Sequence, residues 1–123
     1  TVMGAIANGG SAAAPKLVIE DGSLASITSQ KLDYMSSDTA NTIAKMMRDN
    51  VLNQYGEWRF PGLQFCGKTG TAEVADGDPH SWFVGFSQRD DLPLAVVVVV
   101  ENGGEGISAA VPIANKVMQA AAG

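Results

Sequence analysis

The 123-residue sequence predicts an α+β fold: an antiparallel sheet of about five strands flanked by helices from both ends of the chain. Three observations carry that expectation. Apolar residues recur at helical spacing between Ala40 and Val51. Three strand-like runs then follow one another, Leu63 to Thr71, Ser81 to Ser87 and Leu94 to Glu101, joined by linkers too short for crossover helices. The chain closes on an alanine-rich segment with Pro112 near its start.

Taken in order, Val2 to Ala7 is alanine-rich and ends in Asn8-Gly9-Gly10, the residue types that cap a helix in the left-handed conformation. Pro15 to Glu20 reads as a strand, with Leu24 to Thr28 as its partner across the Asp21-Gly22 turn. Ser36, Ser37 and Asp38 offer N-caps for the next helix. Ala40, Ile43, Ala44, Met47 and Val51 form its apolar face, and Met46 and Met47 are read as core fillers. Tyr55-Gly56-Glu57-Trp58 ends the helix and leads into a loop through Pro61-Gly62. Between the three later strands, Asp76-Gly77-Asp78-Pro79 and Arg89-Asp90-Asp91 have turn chemistry. Ala95 to Val100 is apolar at every position, which predicts a strand covered on both faces. A glycine-rich break at Asn102 to Gly106 precedes the last helix, expected from about Ser108 with Val111, Ala114, Val117, Met118 and Ala121 inward.

Composition removes several function classes. A net charge of −5 with scattered lysines and arginines argues against a nucleic-acid partner, which needs clustered positive charge. One cysteine and one histidine exclude an internal disulfide framework and a Cys/His zinc site, and the reading as a whole implies no metal or organic cofactor. Cys66 lies in an apolar run and reads as a small buried hydrophobe. The longest apolar run, Leu94 to Val100, falls far short of the roughly 20 residues that span a bilayer, so no membrane contact by this segment is expected. Thr1 without an initiator methionine or a basic stretch is read as a cut upstream.

Gly67-Lys68-Thr69-Gly70-Thr71 carries the chemistry. Gly62 to Thr69 literally satisfies the phosphate-loop pattern, and Val96 to Glu101 imitates a metal-coordinating strand downstream. A phosphate loop must open a helix at its lysine, and here the intervening residues are strand formers while Gly70, Gly77 and Pro79 follow. The other reading is an anion clamp on a strand edge. Lys68 supplies a point charge, Thr69 and Thr71 supply hydroxyl donors, and Gly70 admits a close backbone approach.

Lys-Thr-Gly is an element of penicillin-binding proteins and class A β-lactamases. With Ile6-Ala7-Asn8-Gly9-Gly10 before a strand, Gly67 to Glu73, Ser81-Trp82-Phe83-Val84-Gly85-Phe86, the valine run, Glu101-Asn102-Gly103-Gly104 and the Pro112 helix in that order, the whole chain resembles the class B penicillin-binding transpeptidases. The resemblance implies the C-terminal portion of a β-lactamase/transpeptidase-like fold, residues 1–123 forming the C-terminal part of the domain. It implies a D,D-transpeptidase that cross-links peptidoglycan stem peptides through a serine acyl-enzyme and binds β-lactams, on the extracytoplasmic face of a bacterial membrane. It places Lys68 and Thr69 against the terminal carboxylate of a D-Ala-D-Ala stem peptide or β-lactam, and the Thr71 N–H in the oxyanion hole.

The same family needs a nucleophile in S-x-x-K and a second S-x-N motif. No serine here has lysine three residues on or asparagine two residues on, so both are expected upstream of Thr1. Thr42-Ile43-Ala44-Lys45 imitates the first motif mid-helix and in the wrong order. The remaining partner expected is therefore the rest of the same domain. The alternatives are a non-catalytic β-lactam sensor and a cell-envelope docking module. Three other pairs receive bland readings: His80-Ser81 a turn or surface role, Trp82-Phe83 sheet packing, and Glu73 with Asp76 a solvated strand end.

Overall fold

The computed structural model describes residues 1–15 and 30–123. The strand partner expected at Leu24 to Thr28, and the pairing strand from Lys16 onward, lie outside the described residues. The first helix, α1 (Val2–Ala7), ends where Gly9 and Gly10 take positive φ, as the sequence predicts. Two three-residue strands, β1 (Ser11–Ala13) and β2 (Lys31–Asp33), pair antiparallel. Helix α2 (Ser37–Asn50) starts at Ser36, whose hydroxyl accepts the Thr39 N–H at 3.2 Å. It runs on into a π-helical turn, Val51–Tyr55, and a short 3₁₀ turn, Glu57–Arg59.

Strands β3 (Phe65–Ala72), β4 (His80–Ser87) and β5 (Ala95–Val100) form a three-stranded antiparallel sheet in the order β3-β4-β5. Helix α3 (Ala110–Ala122) closes the chain. The α+β class and a total of about five antiparallel strands are as expected; among the described residues they divide between sheets of two and three.

Period-2 alternation sorts the larger sheet into two faces. On one, Phe65, Phe83 and Val98 pack with Ala110, Val111, Ala114 and Met118 of α3 and with Val51, Phe60 and Leu63. The rings of Phe60, Phe65 and Phe83 stack with centroids 4.7 to 5.9 Å apart. Gly67 and Gly85 sit opposite each other in the register, and their missing side chains leave the space these rings occupy. A Cβ on Gly67 would run into the Phe83 ring, and one on Gly85 into the Phe65 ring. On the other face, Cys66 and Phe86 pack with Ile6 of α1 and Ala44 and Met47 of α2.

Four expectations about coverage change here. Val97 and Val99 are 57% and 44% exposed, so the all-apolar strand is covered on its α3 face alone. Helix α1 packs on β4 and β5, and Val97 and Val99 stay open beside it. Met47 is buried but Met46 is 61% exposed, because adjacent helical residues point about 100° apart. The same geometry turns Val117 outward beside buried Met118, and Ala121 is exposed too. Trp82 is 38% exposed on the open face, whereas Phe83 is fully buried.

Candidate functional site

Lys68, Thr69, Gly70 and Thr71 all lie on β3, an edge strand of its sheet. The burial pattern changes within that strand: Phe65, Cys66 and Gly67 are buried, while Lys68 to Ala72 are exposed or half-buried. Because Gly67-Lys68-Thr69 is extended and no helix opens at the lysine, the motif is no phosphate loop.

Hydrogen bonds identify which backbone groups face away from β4. Arg48 donates to the Phe65 carbonyl at 2.9 Å, and Asn50 Nδ2 to the Gly67 carbonyl at 3.4 Å. The Thr69 N–H donates to the Tyr55 hydroxyl at 3.0 Å, and Lys68 Nζ donates to the Thr69 carbonyl at 2.7 Å. Odd-numbered residues of β3 therefore present N–H and C=O to the outer edge, and alternation extends the series to Thr71. Residues 48 to 55 hold the edge as far as Thr69, which also protects it against pairing with another chain. Arg48 is fixed in turn by Glu57 at 2.6 Å.

Side chains alternate across this edge. Lys68 shares the face of Cys66 and lies opposite Val84, with Gly70 opposite Trp82. Thr69 and Thr71 share the face of Phe65 and open onto a hollow of about 320 Å³ between the π-turn and the α3 entry loop. Gln54, Tyr55, Glu105, Gly106 and Ile107 complete its lining. Gly106 packs so closely that a Cβ would lie 3.0 Å from Thr69 Cβ and 3.1 Å from the Gly70 carbonyl. An anion at the free end of β3 would thus meet an ammonium from one side, hydroxyls from the other and a backbone N–H between them.

Other candidates resolve into structural parts. Ser81 is fully buried; its hydroxyl accepts the Ala110 N–H at 3.2 Å and donates to the Glu105 carbonyl at 3.3 Å. It caps α3 from a neighbouring strand, where the sequence had suggested a surface role. His80 Nδ1 accepts the Asn102 N–H at 3.0 Å. Burial pushes the Cys66 thiol up to about 11, against a smaller opposing pull from Arg48, so the residue is a core hydrophobe and no nucleophile. Thr42 donates to the Asp38 carbonyl within α2, and Lys45 is exposed. Glu73 and Asp76 are solvated. Tyr55 was missed by sequence reasoning, where it served only to mark a helix end. Nothing local distinguishes it, since its partner is 14 residues away.

Residues 1–119 match the penicillin binding protein transpeptidase domain. The chain belongs to that family. It is 35% identical over 133 aligned positions to the peptidoglycan D,D-transpeptidase PbpA of Mycobacterium tuberculosis, covering 94% of this chain and 27% of the relative. The peptidoglycan D,D-transpeptidase MrdA of Haemophilus influenzae is 33% identical over 86 positions, covering 56% of this chain and 13% of that one. The D,D-transpeptidase domain of an Eggerthella lenta peptidoglycan glycosyltransferase superposes with a TM-score of 0.75 at 35% identity, covering 95% of this chain and 29% of that structure. Penicillin-binding protein A of M. tuberculosis, solved as a ceftriaxone acyl-enzyme, gives 0.74 at 33% identity over 95% of this chain and 30% of that structure. The chain thus spans roughly a quarter to a third of the M. tuberculosis and E. lenta family members and carries the part of the domain that contains the Lys-Thr-Gly strand. Among the described residues, no helix is long and apolar enough to cross a membrane.

Proposed function

We propose that this chain is the substrate-carboxylate side of a serine D,D-transpeptidase that cross-links peptidoglycan stem peptides on the extracytoplasmic face of the cell membrane. The observation that carries it is the free half of the β3 edge, an exposed strand end flanked by Lys68 on one face and by Thr69 and Thr71 on the other. Lys68 and Thr69 bind the terminal carboxylate of D-Ala-D-Ala, or the carboxylate of a β-lactam. The Thr71 N–H, outward by strand parity, joins an N–H of the serine's own segment in holding the developing oxyanion. The serine belongs to a part of the domain outside residues 1–123. Its Oγ forms an ester with the penultimate residue's carbonyl carbon, and the amide to the terminal D-Ala breaks with a proton passing to the leaving amine. An amine from a second stem peptide then displaces the serine and restores its hydroxyl. The acyl-enzyme relatives and the absence of S-x-x-K in this sequence both support dividing the work this way.

The test labels proteins with a fluorescent penicillin. This chain alone should take no covalent label, while the complete protein should be labelled at a serine outside residues 1–123. A stable adduct on any serine of this chain overturns the division of labour. A complete protein that carries S-x-x-K and still takes no label overturns the enzymatic reading; one without it that binds β-lactam noncovalently is a sensor.

A further inference from the structure

We infer that Tyr55 is a positioning residue that fixes the Thr69 hydroxyl as a donor toward the bound carboxylate, an inference that rests on the function proposed above. Its hydroxyl oxygen accepts the Thr69 N–H at 3.0 Å and lies 3.1 Å from Thr69 Oγ1. A phenol has one proton, and the backbone N–H can only donate. The phenol's proton is therefore available for Thr69 Oγ1. If Tyr55 donates there, the threonine's own proton is released toward the hollow that both side chains line. With the opposite polarity Thr69 would spend its proton on Tyr55 and present only lone pairs to the ligand, which a carboxylate rejects. An anion in the hollow selects the first arrangement, a chain of donors from Tyr55 through Thr69 to the ligand, each bond polarising the next.

The fold holds Tyr55 for this purpose from several sides. The π-helical turn is closed by Gly56 N–H donating to the Val51 carbonyl at 2.8 Å, and such turns recur at functional sites. Arg59 Nε donates to the Tyr55 carbonyl at 2.8 Å. The ring stands edge-on to Phe83, centroids 6.4 Å apart, so the closed core steadies the hydroxyl's carrier.

The test uses the complete protein and the second-order rate of acylation by a penicillin. Tyr55→Phe keeps the ring and removes the hydroxyl. It should slow acylation about three- to tenfold, the worth of one neutral hydrogen bond, with little change in Tm. In a Thr69→Val background the same substitution should cost less than about twofold, because the donor it aligns is gone. In a Thr69→Ser background, which restores the hydroxyl, the cost should return. Loss that is equal in the Val and Ser backgrounds would mean a merely structural tyrosine and would overturn the inference. So would a Tyr55→Phe protein that acylates at the parent's rate while Thr69→Val is impaired. If neither Lys68→Ala nor Thr69→Val slows acylation, the functional reading falls and takes this inference with it.

Discussion

The two halves of β3 are made from one continuous strand yet do opposite jobs. Phe65, Cys66 and Gly67 are enclosed between the ring stack on one face and α1 and α2 on the other. Lys68 to Ala72 lie in the same register against the same partner strand but stand open at the edge. Strand pairing alone does not separate them. What separates them is the segment from Arg48 to Tyr55, which satisfies the outward backbone groups of the first half and stops at Thr69. An edge strand is a liability unless covered, and here it is covered only as far as Thr69, where the half proposed to bind ligand begins.

That contrast is most easily broken in the closed half. Phe65→Ala removes a fully buried ring from a three-ring stack and should destabilise the protein by about 3–5 kcal/mol, read as a fall in Tm. A loss below about 1 kcal/mol would mean the stack is loose and the halves are less distinct than drawn. Lys68→Ala, three residues along, should do the reverse: acylation in the complete protein slowed by roughly ten- to a hundredfold, with Tm almost unchanged. Parental acylation kinetics for that variant would remove the clamp assignment.

Cys66 sharpens the comparison through pH. Its folded-state value is raised from 9.0 to about 11 by burial. A raised value means that the stabilisation is fully present below pH 9 and is lost as pH climbs through about 11. The protein should therefore lose on the order of 3 kcal/mol across that window, since each tenfold change in a proton equilibrium is worth about 1.4 kcal/mol. Cys66→Ala should flatten this part of the Tm–pH curve; an unchanged alkaline slope would place the thiol outside the closed half. The smallest effect belongs to the exposed Arg89–Asp91 pair, 2.6 Å apart at the β4–β5 turn. The arginine holds the Asp91 carboxyl below its ordinary range, so its contribution is present above that range and fades as pH falls through the lowered value. Solvent screening makes it minor, and Asp91→Asn should leave Tm unaltered at neutral pH. A marked fall would show that the turn governs how β4 and β5 meet.

Local pattern was enough for α2, because a 3.6-residue period and a serine cap are properties of neighbouring residues, and Ala40, Ala44, Met47 and Val51 are all buried. It was enough for the three antiparallel strands too, since short turn-forming linkers leave a chain no other way to return. The Lys-Thr-Gly strand and its rejection as a phosphate loop were legible for the same reason: strand formers precede the lysine and glycines follow it. Coverage was not legible. A run of valines reads alike whether roofed on one face or two, and the structure buries Val98 against α3 while Val97 and Val99 stay open. Ser81 became a helix cap through Ala110, 29 residues on. Tyr55 reached Thr69 only because a π-turn and an edge strand meet in space. A sequence writes its periods locally, whereas partners across a fold are chosen by packing between segments that have no adjacency in the chain.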